Sequence, residues 1–420
     1  MKIIFSNPSW WEATVNEETK TASLRQGIRA GSRWPFTNPA SFLPDQFRFG
    51  GYIPYPMFMN HAAGYTKGLF PTWDISVRDS IARGESYDTY FKGIKYENPD
   101  YLVIETATSS LEHDLRIVAK LGEVIPSCKI ILAGMLNQTD AKPILDSYSN
   151  VHAICEGEYD KQIGKALMPM RMGFIPFDKL SESEMNAAPF PIHDEQALMN
   201  YFDACPEGTK APQLQLWSSR GCTFRCCFCS WPAVMTNQDS DGTGLRSFRR
   251  YTPEYIAAYL DKMLERYAFK TVYFDDDTFN SGDKHVLGIC EVMKKRNLHW
   301  SAMCRADMIK RETWQAMKDS GCFGVKIGFE TGSQRVIDEI VGKKLNLEKA
   351  RDTAIWLRSI GIAVHGTFTK GLPGETPEES LMTDAFIEKL YQDGGLDTHQ
   401  LSGTAVIHGT PMERIAKGEH

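Results

Sequence analysis

Three cysteines in the run SSRGCTFRCCFCSWP, at Cys222, Cys226 and Cys229, constrain this chain more than any other feature. Their spacing is C-x3-C-x2-C. Thiolates this close in sequence can wrap one face of an iron–sulfur cluster and leave one corner iron without a protein ligand. Clusters are ordinarily held by four cysteines, so a three-cysteine set is built to bind something else at the open iron. The competing reading is a structural zinc site, which needs a fourth ligand. Cys227, inside the same loop, and the more distant Cys205 are the nearest candidates. No second C-x2-C or H-x3-H pair follows, as a zinc ribbon or finger requires. Cys227 also reads as a core thiol, because free cysteine is among the most buried residue types.

Composition narrows the class. With 420 residues, the chain is long enough for two or three domains. Hydrophobic residues make up 42% and charged residues 24%, ordinary values for a globular protein. The formal net charge is −6, and no basic stripe stands out. FRRYTP near Arg249 and KKR near Lys294 read as short solvated faces, which disfavours nucleic acid as the main partner. Ten cysteines without a disulfide-framework spacing fit a reducing compartment. The N-terminus MKIIFSNPSWWEATV lacks the pattern of a signal peptide. No apolar run reaches the roughly 18 residues of a membrane helix. A cytoplasmic protein with no membrane partner is therefore expected.

Two halves emerge along the chain. MKIIFSNP reads as a first strand that opens into a long aromatic loop from Trp10 to Tyr55. Helices follow at Pro56–Gly68 and Leu111–Ile125. Strands read at Trp73–Val77, Tyr101–Thr108, Lys129–Leu136 and Val151–Asp160. Near-continuous apolar runs such as YLVIETAT suit buried parallel strands. Repeated strand–helix units predict a doubly wound α/β sheet over residues 1–169, with ligands beyond the carboxyl ends of its strands. Residues 170–212 read as a linker. From residue 213 to 420 a second series begins, with strands at Leu214–Ser218, Thr271–Asp275, Trp300–Cys304, Val325–Phe329, Val364–Thr369 and Gln400–Val406. Helices alternate with them at Pro253–Tyr267, Lys284–Arg296, Arg311–Ser320, Leu347–Ile360 and Pro377–Gln392. This order predicts a partial (β/α)6 barrel. Chemistry in βα barrels sits at the carboxyl ends of the strands, and the cysteine loop follows the first.

Four further motifs stand at those ends. VYFDDDTFN carries Asp276 and Asp277 after the second strand, and MCRADMI carries Arg305 after the third. KIGFETGSQRVID carries Glu330 and Ser333 after the fourth. GTFTKGLPGETPEE carries Gly371 after the fifth. Each has an ordinary alternative: a solvated acidic turn, a surface salt bridge, a helix N-cap at Ser333, and plain turn glycines. Taken with the cysteines, in this order over Leu214–Met412, they resemble the radical S-adenosylmethionine (SAM) enzymes. The resemblance implies a 4Fe–4S cluster on Cys222, Cys226 and Cys229, with SAM on the open iron. It implies Asp276 and Asp277 near the SAM amino group, and Arg305 near its carboxylate or a ribose hydroxyl. Glu330 and Ser333 would lie near the ribose and carboxylate, and Gly371 near the adenine. An enzyme of this kind is expected to run on past the sixth strand, so the chain is expected to be either truncated at His420 or an unusually short member.

A doubly wound sheet ahead of such a domain resembles the cobalamin-binding radical SAM enzymes. That implies a Rossmann-like cobalamin domain, although the fingerprint D-x-H-x-x-G is absent from the first 165 residues. His61 has Met59 where the aspartate belongs and reads as a helix residue rather than a cobalt ligand. Thr106, Thr108 and Ser109 resemble the hydroxyl-rich strand end that meets the cobalamin nucleotide tail. Gly134 and Gly157 resemble the glycine turns of such domains. Arg29 and Arg33, in GIRAGSRWPF, suit an anionic group. The implied activity is methyl transfer from methylcobalamin to an unactivated carbon, opened by a 5′-deoxyadenosyl radical. The implied partners are a small-molecule or peptide substrate and a flavodoxin- or ferredoxin-like electron donor. Three alternatives stay open: a cobalamin-binding cyclase or rearrangement enzyme, a radical SAM enzyme whose first half binds substrate, and a zinc-stabilised binding protein.

Overall fold

A computed structural model describes residues 1–15, 22–29, 35–38, 52–168, 172–230 and 248–419. The chain divides into two compact units, Met1–Phe202 and Asp203–His420.

The first unit is built on six parallel strands. Their spatial order is Gly173–Ile175, Val151–Glu156, Lys129–Gly134, Tyr101–Thr106, Lys2–Asn7 and Asp74–Asp79. The apolar runs seen in the sequence form its middle: Ile3 to Phe5, Leu102 to Ile104 and Ile130 to Ala133 are at most 1% exposed. Burial on both faces removes the period-2 signal and leaves unbroken Val, Ile and Leu. The chain leaves the first strand for one neighbour, Asp74–Asp79, and returns to the other, Tyr101–Thr106. That reversal makes a topological switch point, where sheets of this kind open a crevice beyond the strand ends.

Three elements of this unit differ from the sequence reading. The segment read as one long loop contains an antiparallel sheet of Trp11–Val15, Ala22–Arg29 and Pro35–Asn38. Its Gly and Pro content hid the strand alternation. Arg33 and the side chain of Arg29 lie outside the described residues. A helix at Tyr87–Glu97, capped by Ser86 on the Thr89 N–H, went unread because only Tyr90 and Ile94 are buried on it. Residues 173–175, read as linker, pair with Ala153 to Cys155 and extend the sheet. The first compact unit accordingly runs through Phe202.

The second unit is a six-stranded parallel sheet in sequential order: Gln213–Leu216, Thr271–Phe274, Trp300–Cys304, Cys322–Glu330, Ala363–Lys370 and Thr398–Gly403. Each strand pairs only with its neighbours in the chain. A helix fills each of the five connections. The first and sixth strands stay unpaired with each other, so this is a partial (β/α)6 barrel. The helix-facing residues Val325, Ile327, Phe329, Val364 and Phe368 are at most 1% exposed. Helix starts follow local chemistry. Thr252 caps Pro253–Arg266, and Thr376 with Glu379 forms a capping box on Pro377–Gln392. A short helix at Pro411–Lys417, unread in the sequence, follows the sixth strand. No helix of the described residues is long and apolar enough to cross a membrane.

Candidate active site

The cysteine loop lies beyond the carboxyl end of the first barrel strand, and its position is fixed from several sides. Before it, Ser219 and Arg220 pair antiparallel with Arg250 and Arg249. Asp276 is fully buried and spends both oxygens on the same entry segment. Its Oδ2 accepts the Ser218 N–H at 3.1 Å, and its Oδ1 accepts the Ser218 hydroxyl at 2.8 Å and the Ser219 hydroxyl. Ser218 Oγ also meets His285 Nε2 at 2.9 Å. Asp277 Oδ2 accepts the Gly221 N–H at 3.1 Å. The two acids selected from the sequence thus hold the loop that carries the cysteines.

The cysteines themselves divide into two kinds. Cys227 is 5% exposed and packs with Val336, Val341, Leu372 and Met412. Its N–H donates to Val341 O at 2.9 Å, and its carbonyl accepts the Met412 N–H at 3.1 Å. Burial pushes its thiol up to about 12. This is a core thiol that pins the loop. Cys205 reaches Thr398, at the start of the sixth strand, beside Asp203 and Lys326. It therefore stands at the amino end of the sheet, opposite the loop. Neither residue supplies the fourth ligand that zinc requires. Among the described residues no three His, Cys, Asp or Glu side chains converge as a single ion would need. A cluster makes a different demand, because its three thiolates bind three different irons.

Of the remaining motif residues, Arg305 and Glu330 stand around Cys222 and Cys226, while Ser333 and Gly371 make their contacts elsewhere. Cys222 Sγ lies 3.4 Å from Thr278 Oγ1 and feels Asp277 and Arg305. Burial raises the Cys226 thiol to about 11; Lys343 and Arg305 pull it down, while Glu330 and Cys222 push it up. Arg305 is 5% exposed. Its guanidinium stacks 3.6 Å from the ring centre of Phe224, a residue of the cysteine loop. It pairs with Asp307 at 2.8 and 3.0 Å and donates from Nη2 to Lys343 O at 3.2 Å. Its Nη1 is buried and donates to no described residue. Glu330 is paired through Oε1 with Lys343 Nζ at 2.7 Å. Ser333 is buried and engaged: its Oγ donates to Glu379 Oε1 at 2.9 Å and accepts the Val336 N–H. Gly371 is exposed, and its N–H donates to Glu375 at 2.7 Å. Sequence reasoning missed Phe224 and Lys343, whose partners are remote along the chain.

In the first unit the hydroxyls selected from the sequence behave unequally. Thr106 Oγ1 and Thr108 Oγ1 are buried and have no hydrogen-bond partner among the described residues, and the same holds for Asn7 Oδ1. All three lie at or just past the carboxyl ends of the two strands that flank the switch point. Buried polar atoms normally find partners in protein, water or ligand, and these three share one strand end. Ser109 is exposed. Gly134 has φ +115°, and a Cβ there would lie 2.7 Å from Thr106 O. Gly157 donates to Gly134 O at 2.7 Å. Both glycines have a local backbone reason. His61 lies within the helix Met57–Leu69 and is 9% exposed.

The Asp276 brace carries a pH signature. Burial raises its carboxyl to about 7, against the lowering effect of the Ser219 and Ser218 hydrogen bonds. An acid raised in the folded state contributes stability fully present below its unfolded value near 4. That contribution is lost as pH rises through about 7. Urea unfolding of the Asp276→Asn variant is therefore expected to improve relative to the native chain between pH 5 and pH 8. A constant difference across that range would contradict the assignment.

Residues 218–387 match the Radical SAM superfamily. An uncharacterised methyltransferase of Pyrococcus horikoshii is 28% identical over 76% of this chain and 71% of its own length. The cytidylyl-2-hydroxyethylphosphonate methyltransferase of Streptomyces wedmorensis is 30% identical over 55% of this chain, but the match spans only 43% of that enzyme. Among solved structures, the radical SAM methyltransferase TsrM from Kitasatospora setae, with cobalamin and a 4Fe–4S cluster bound, superposes with a TM-score of 0.62. It is 14% identical over 84% of this chain and 73% of TsrM, a likeness of fold. The chain therefore carries a radical SAM domain over residues 218–387.

Proposed function

We propose that this protein is a cobalamin-dependent radical SAM methyltransferase acting on an unactivated carbon. The observation that carries the reading is the placement of the cysteine loop: it lies beyond the carboxyl end of the first barrel strand, with Asp277 and Arg305 beside Cys222, and Lys343, Glu330 and Arg305 beside Cys226. When bound, the 4Fe–4S cluster and SAM supply a 5′-deoxyadenosyl radical, and cobalamin supplies a methyl group. The protein's part is to hold, orient and exclude water.

Cys222, Cys226 and Cys229 hold the cluster. Asp276 acts from behind, keeping Ser218 and Ser219 in place, and Asp277, which steadies Gly221, would receive the SAM amino group. Arg305 offers its unpartnered Nη1 to a carboxylate, a geometry that suits a planar guanidinium. Glu330 would accept a hydrogen bond from a ribose hydroxyl. Ser333 shapes the turn through Glu379, and Gly371 lends its exposed backbone to the adenine side. In the first unit, Thr106 and Thr108 would meet the cobalamin nucleotide tail with the hydroxyls that the described residues leave unpartnered. Ser109, Gly134 and Gly157 complete that rim. The residues present fit both groups. The substrate is a small molecule or peptide, electrons arrive from a flavodoxin- or ferredoxin-like donor, and the protein works in the cytoplasm without a nucleic-acid partner.

Replacing any of Cys222, Cys226 or Cys229 by alanine is expected to abolish SAM cleavage and to lower bound iron after anaerobic reconstitution. Cys227→Ala is expected to keep iron and cleavage and to lose stability, by about 1 kcal/mol or more for a truncated core side chain. Retained cleavage in any of the first three variants would contradict the cluster assignment.

Thr106→Val and Thr108→Val test the cobalamin reading separately. Each removes one hydrogen bond worth about 0.5–1.5 kcal/mol, so each is expected to weaken hydroxocobalamin binding by roughly two- to tenfold. An absorbance titration measures this. Binding unchanged in the double variant would place the corrinoid elsewhere, or remove it from the account.

A further inference from the structure

We propose that Lys343 is a positioning residue for SAM binding: it fixes the Glu330 carboxylate in the orientation that receives the nucleoside. The inference rests on the reading of Glu330 as a SAM contact.

Glu330 ends the fourth barrel strand at φ +68°, a left-handed conformation that a residue with a side chain adopts at a cost of about 1 kcal/mol or more. The strand register shifts between Gly328 and Glu330, so a bulge re-aims the carboxylate. What holds it there is Lys343. Its Nζ lies 2.7 Å from Glu330 Oε1 and 2.6 Å from Gly328 O, and the residue is 6% exposed. A Cβ at position 328 would lie 2.3 Å from Glu330 Oε1 and 2.6 Å from Lys343 Nζ. The ion pair thus occupies the space that a side chain at 328 would enter.

The lysine is itself fixed. It follows Gly342, which ends the π-helical turn Val336–Val341 in a left-handed conformation. The Lys343 N–H donates to Ile337 O at 3.1 Å, and its carbonyl accepts Arg305 Nη2 at 3.2 Å. The same turn receives the Cys227 N–H through Val341 O. One short segment therefore ties together the cysteine loop, Arg305 and Glu330. The cost of burying an ion pair is offset only where geometry is good and further hydrogen bonds complete it; Lys343 also donates to Gly328 O, and the pair leaves Glu330 Oε2 as the oxygen that Lys343 does not bind.

The test is a double-mutant cycle on anaerobically reconstituted protein, with SAM itself as the probe in an equilibrium binding assay. Lys343→Met and Glu330→Gln are each expected to weaken SAM binding by about ten- to hundredfold, the scale of a charge-assisted hydrogen bond. Bound iron should stay at about four per chain. The double variant is expected to bind no more weakly than Glu330→Gln alone, because without the carboxylate the lysine has nothing to orient. Lys343→Arg should recover most of the loss. If Glu330→Gln weakens binding and Lys343→Met does not, or if the two losses multiply, the inference is overturned while Glu330 keeps its role. If Glu330→Gln leaves binding unchanged, the assignment of Glu330 itself falls. Should Lys343→Met not fold, Lys343→Gln is judged by the same comparisons, with its melting temperature as the control.

Discussion

A carboxylate without exposure organises the catalytic half of this protein. Asp276 faces Ser218 and Ser219 with both oxygens, and those serines lead directly into the cysteine loop. A loop whose thiols are kept for a ligand cannot be held by those thiols. It has to be held by its backbone and its flanks. Asp276 and Asp277 hold the entry, and Cys227 pins the middle between Val341 and Met412. Phe224 lies under Arg305. The loop is thus fastened to the second, third and fourth strand ends, where the other motif residues stand.

Much of this was legible in the sequence, for a physical reason. Cysteine spacing fixes which thiols can share one cluster, and near-continuous apolar runs mark buried parallel strands. The strand Trp300–Cys304 and the helix Pro377–Gln392 have the same bounds in the fold as in the pattern of apolar residues and caps. What stayed hidden was pairing across the chain. Lys343 looks like any lysine after a glycine, and only the fold brings it onto Glu330. Asp276 reads as one of three acids in a turn, and its work as a brace depends on Ser218, 58 residues away. The antiparallel sheet near the N-terminus was hidden by Gly27 and Pro35, and the helix Tyr87–Glu97 by its two buried apolar positions.

The first unit contributes a different kind of signal. Its fold alone is shared by proteins of many functions. The specific content lies at the switch point, where Asn7, Thr106 and Thr108 bury polar atoms that the described residues leave unpartnered. Such atoms cost stability unless something pairs with them. The proposed cobalamin tail is one group that would pair with them. The two glycines beside them, Gly134 and Gly157, are explained by backbone geometry whether or not a ligand is present.

The most direct test of the central claim is a product analysis. The protein is reconstituted anaerobically with iron, sulfide and hydroxocobalamin, then given SAM and a strong reductant, and the nucleosides are quantified by mass spectrometry. Formation of both 5′-deoxyadenosine and S-adenosylhomocysteine, the latter dependent on added cobalamin, is the expected result. Deoxyadenosine alone, with no S-adenosylhomocysteine at any cobalamin concentration, would contradict methyl transfer and leave a radical SAM enzyme of another kind.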